Sequence, residues 1–193
     1  MILNILAFSD KNVSRQDFID FWSKYYVYTS VERLYLDRIH NEIFSKDDIE
    51  KLFEWKNGMK INGHKQKQAS VDKIVSRLKI INELKNNFDF VLFKRYFNDL
   101  GAIWQLFILH IIQPEIFPIF DQHVYRAHLF ISKEIIEDIK EDKNFKLKYF
   151  YEVYLPFYNN FKTDIGNDRQ ADMALWAFGK FLKTQYAIEL IPR

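Results

Sequence analysis

The sequence predicts an all-α protein. Helix caps recur ahead of apolar stripes with a 3.6-residue period, no stretch sustains the alternation of a half-buried strand, and the 193 residues contain only 5 Gly and 4 Pro. An all-β chain of this length needs more turn formers than that. The length suits one domain, or two small lobes sharing a core, and 48% apolar residues are enough to bury one.

The elements follow in order. Ser14 opens "SRQDFIDFWSKYY", with Asp17 in its first turn. Thr29 and Glu32 have capping-box spacing ahead of "VERLYLDRIHNEIF". Ser45 precedes "KDDIEKLFEWKN", whose early acids suit the helix dipole and which stops at Gly58. Ser70 opens "VDKIVSRLKIINELKN", where Val71, Ile74, Val75, Leu78, Ile81 and Leu84 share one face. Further helical patterns cover roughly 88–98, 102–112, 121–131, 133–141, 144–158 and 168–185. No repeat of fixed period is visible.

Composition removes several function classes. The absence of cysteine excludes disulfides, thiolate zinc sites and iron–sulfur clusters. His123 and His128 are five apart, the wrong interval for two ligands on one helix face, so no metal site or other cofactor is indicated. The opening "MILNILAFSDKN" lacks a basic n-region and does not read as a signal peptide. The apolar run 102–112 is too short for a bilayer and contains Gln105 and His110. The expectation is a soluble, cytoplasmic protein with no membrane partner.

A net charge of +2 permits nucleic-acid binding through a local patch without demanding it. The densest positive segment is "KNGMKINGHKQKQ" (56–68), with Lys56, Lys60, His64, Lys65 and Lys67. It reads as a possible lobe boundary near 56–70, and either as a solvated loop or as one that contacts phosphate.

The most informative stretch is 97–130, "FNDLGAIWQLFILHIIQPEIFPIFDQHVYRAHLF". A helix breaks at "NDLG", a buried helix follows, and Pro114 and Pro118 bracket an extended connector. Asp121 then stands where the next helix takes its N-cap, a position that favours an ionised carboxylate.

These residues resemble the helix–hairpin–helix DNA glycosylases. That family carries a glycine-bearing hairpin, a buried helix, a Pro-containing connector and then D-x-H-V-x-R opening a helix. Asp121-Gln122-His123-Val124-Tyr125-Arg126 fits each specified position, and Gly101 precedes Asp121 at close to the family spacing. "RQADMALWAFGKFL" (169–182) is a weaker echo of the small-residue helix that follows. The match is closest to the 8-oxoguanine glycosylase-like branch, which includes small members of bacterial defence clusters.

The resemblance implies a two-lobed helical domain over 1–193 whose partner is duplex DNA containing a modified base. It implies a flipped base, Asp121 as the carboxylate that stabilises an oxocarbenium-like sugar, and water as nucleophile. Gly101, Pro118, His123 and Arg126 would support the motif. Arg126 could pair with an acid or touch phosphate, and Asp121 could be a cap, a catalyst or both. Lys94 and Arg95 before the hairpin, with Lys60, Lys65 and Lys67, would contact DNA or form a solvated face. Trp22, Tyr25, Tyr26, Tyr28 and Trp104 are candidates for a base pocket, or for core.

Two departures matter. The family hairpin usually reads L-P-G-V-G, and this one has a single glycine. Members with lyase activity carry a lysine just after the turn, where this chain has Gly101, Ala102 and Ile103. The expectation is therefore a monofunctional glycosylase. The alternatives are a non-catalytic DNA-binding module and a protein-interaction module of a repair or defence system.

Overall fold

The computed structural model describes residues 13–27, 31–61, 63–162, 168–185 and 187, and all regular structure among them is helical. Thr29, Tyr28 and the opening segment 1–12 lie outside the described residues. The chain divides into two compact units, Met1–Tyr26 with Phe120–Arg193, and Val27–Ile119. The basic segment 56–68, where composition suggests a lobe boundary, falls inside the second unit.

The second unit holds α2 (Glu32–Leu36), α3 (Lys46–Asn57), α4 (Lys65–Val75), α5 (Leu78–Asn86), α6 (Phe90–Phe97) and α7 (Ala102–Ile112). Helix α3 has both expected ends. Ser45 and Asp48 close a capping box, and Gly58 takes the left-handed conformation at φ 74° that a Cβ would resist. Helix α4 starts at Lys65, not at Ser70, whose hydroxyl instead donates to the Gln66 carbonyl within the helix. The single helix expected over 70–86 breaks at Ser76–Arg77 into α4 and α5. Arg77 is drawn off to the α6–α7 hairpin, donating to the Asp99 carboxylate at 2.7 and 2.8 Å and to the Tyr96 carbonyl. Its guanidinium bonds, with help from Lys73, hold Asp99 below the usual carboxylate range.

Helix α7 is buried nearly all round, and its two polar side chains have partners. Gln105 donates to the Leu100 carbonyl at 2.7 Å. His110 lies between the Phe117 carbonyl at 2.7 Å from Nδ1 and the Tyr35 hydroxyl at 2.8 Å from Nε2. A carbonyl only accepts, so Nδ1 carries the proton and the Tyr35 hydroxyl donates to Nε2. That chain pins the proline connector against the core.

The first unit holds α1 (Arg15–Trp22) with a 3₁₀ turn Ser23–Tyr25, α8 (Gln122–Lys133), α9 (Lys143–Tyr149), a π-helical turn Phe150–Tyr154, α10 (Leu155–Phe161) and α11 (Asp168–Phe181). Helix α1 is capped by Ser14, which accepts from the Asp17 N–H. The pattern at 133–141 does not form a helix. Glu134 ends α8 at φ 56°, and 135–140 has no regular structure, because Asp138 is recruited to Arg126. Residues 143–161 run on without a break, and Pro156 lies within this rod without an N–H to give. The π turn just before it absorbs the mismatch, with the Leu155 N–H reaching the Phe150 carbonyl.

Candidate functional site at the start of helix α8

Asp121 is the N-cap of α8, in extended backbone with its side chain turned back on the helix. One carboxylate oxygen accepts from the His123 N–H at 2.8 Å and from the Val124 N–H at 3.2 Å. Two N–H groups and the helix dipole thus hold an anion in one place. The side chain is partly exposed, while Val124 to Leu129 behind it are buried.

The rest of the motif is anchored to α11 and to the strap 134–141. Arg126 is 1% exposed; it donates to the Gly179 carbonyl at 2.6 Å and pairs with Asp138. Its bonds hold Asp138 below the ordinary carboxylate range. The Arg126 guanidinium is therefore committed to protein partners. His123 packs edge-on to Trp176 at 5.1 Å, and its ring Nδ1 lies 3.5 Å from the Arg126 guanidinium. Helices α8 and α11 approach so closely that position 179 has no room for a side chain.

Of the base-pocket candidates in this unit, Tyr26 lies in the cluster around α11. Its ring packs on Trp176 at 5.1 Å, and its hydroxyl accepts from Arg169 at 2.8 Å. Trp22 is 3% exposed, packed between Phe178 and Phe181 at 4.9 and 5.2 Å. Its place on the inner face of α1 makes it core. Tyr25 is exposed beside Phe21. Trp104 belongs to the other unit, half-buried and stacked on Phe53 at 4.9 Å.

The remaining candidates also belong to the second unit. Gly101 is the N-cap of α7 at φ −63°, so its backbone does not require glycine, and a Cβ there would meet nothing within 4 Å. Pro118 is buried in the connector. Lys94 is exposed with its ammonium 4.5 Å over Phe90, and Arg95 is exposed beside it. Lys60, Lys65 and Lys67 are exposed, and Lys67 donates to Asn57 at 2.6 Å. Lys65 and Lys67 occupy the first turn of α4 rather than a loop, adding charge to the positive end of its dipole.

Sequence reasoning missed four residues around the motif. Trp176 and Gly179 sat in the noted echo "ALWAFGKF", but nothing in it paired them with His123 or Arg126. Asp138 and Tyr154 lay in stretches, 133–141 and 144–158, read only as helical patterns. Among the described residues no group of three or more His, Asp or Glu is placed to hold a metal, and no helix is long and apolar enough to cross a membrane. The chain matches no family model, no curated protein and no solved structure.

Proposed function

We propose that the protein is a monofunctional DNA glycosylase-like enzyme, with Asp121 as its catalytic carboxylate. The observation that carries this reading is the fixed Asp121 anion, capped by two backbone N–H groups, partly exposed, and braced through Arg126 and Gly179. A carboxylate so held needs no reorganisation to meet the positive charge that develops on a sugar as its N-glycosidic bond breaks. The same anion orients the attacking water. The D-x-H-V-x-R resemblance supplies the substrate class, a flipped modified base. Open space at Gly101 fits close approach of a phosphate to the α7 N-terminus.

The test is base release from duplexes carrying single modified bases, followed by cleavage of the resulting abasic strand with alkali. Release that disappears in Asp121→Asn supports the assignment. A panel of oxidised, alkylated and deaminated bases with no release by the parent protein defeats it.

One observation favours a second reading, a module that binds without cleaving. The hairpin turn keeps a single glycine, Gly101, at an ordinary φ of −63°, and it has no lysine at 101–103, so the scaffold is present without the lyase group. Duplex binding without base release is the outcome that selects this reading.

A further inference from the structure

Tyr154 lies deep in the first unit, fully buried, and its hydroxyl has no hydrogen-bond partner among the described residues. A buried donor in that state costs stability that a phenylalanine would not, and Phe150 and Phe157 nearby show that phenylalanine suits this core. The ring is 5.0 Å from Phe120, the residue directly before Asp121, and 6.0 Å from His128 on the inner face of α8. It sits on the π-helical turn, a local widening that recurs at functional sites in proteins. The titratable groups around it are Asp121 and His128 from α8 and its cap, Tyr149 from α9 and Asp172 from α11, which is 5% exposed. Burial, then the charges of Asp172 and Asp121, push the phenol far above its ordinary range, so it remains a proton donor at any working pH.

We infer that Tyr154 is a positioning residue for Asp121: its hydroxyl donates to one buried water, which in turn donates to the Asp121 and Asp172 carboxylates behind the start of α8. A water with one donor and two acceptors around it satisfies the phenol and uses both of its own protons. Asp121 is then held from two sides, by the helix N–H groups in front and by this water behind. Tyr154 touches neither sugar nor base. The role in turnover rests on the glycosylase reading; the coupling to Asp121 does not.

The test is Tyr154→Phe, which keeps the ring and its packing. The Asp121 carboxyl carbon is followed by NMR through a pH titration in both proteins. Loss of the donor makes the anion less favourable, so the Asp121 midpoint should rise by about half a unit or more. In base release, kcat should fall about ten-fold with KM unchanged. In the Asp121→Asn background the same substitution should have no further effect on kcat. An unchanged Asp121 midpoint overturns the inference whatever the enzyme does. A shifted midpoint in a protein that releases no base upholds the coupling and defeats only the proposed activity. Equal losses of kcat in both backgrounds would make Tyr154 merely structural and overturn its positioning role.

Discussion

A Cβ on Gly179 would stand 1.9 Å from the carbonyl oxygen of His123, so the helix carrying the small residues and the helix carrying the motif meet backbone to side-chain-free backbone. The Gly179 carbonyl accepts from Arg126 at the same crossing. The orientation of Asp121 depends on this contact, because His123 and Val124 supply the N–H groups that hold it.

Gly179→Ala should therefore destabilise the protein although it improves helix propensity. In an exposed helix interior that exchange stabilises by about 1 kcal/mol. Here the obstacle is backbone, which cannot rotate aside, and overpacking costs about 1–3 kcal/mol or more. Urea unfolding should show a net loss, and a midpoint at or above the parent's would show that the helices can part without cost.

Asp121→Asn separates folding from chemistry. The amide oxygen still accepts from His123 and Val124, so stability should fall by about 1 kcal/mol or less. Loss of the negative charge should reduce base release by about two orders of magnitude or more. A folded Asn variant that turns over at the parent rate removes Asp121 from the mechanism.

Borohydride should trap no covalent protein–DNA adduct during turnover. An imine needs an amine beyond the hairpin turn, and 101 to 112 of α7 and its cap contain no lysine. Lys94 lies on α6 ahead of the turn with its ammonium over Phe90. The product should be an abasic site in an intact strand, and efficient trapping would point first to Lys94.

Stability should fall between neutral and mildly acidic pH because of His128. Burial, and then the charge of Lys133, lowers its pKa from 6.5 to about 4, while its ring nitrogens meet the Tyr149 and Ser132 hydroxyls. The unfolded chain takes up a proton below about 6.5 and the folded chain only near about 4, so stability is full above the first value and is lost progressively toward the second. The loss is on the order of 2–3 kcal/mol. Denaturant midpoints at pH 7 and pH 4.5 should differ less in His128→Gln, and an unchanged difference would assign the effect elsewhere.

The amino-acid sequence by itself determined the all-helical class, the start of α3 at Ser45, its stop at Gly58, the buried α7 and Asp121 as an N-cap. Each is a local matter: a cap, a dipole or an apolar period is complete within a few residues. Only the tertiary structure decided where Arg126, Trp22 and Tyr154 go. Arg126 meets a carbonyl 53 residues away, and its pairing with Asp138 unmakes a helix that periodicity favoured. The break at Ser76–Arg77 has the same origin, since Asp99 lies 22 residues beyond the arginine it draws off. Long-range polar pairs leave no periodic trace, so the brace around Asp121 became visible only once α11 was laid against α8.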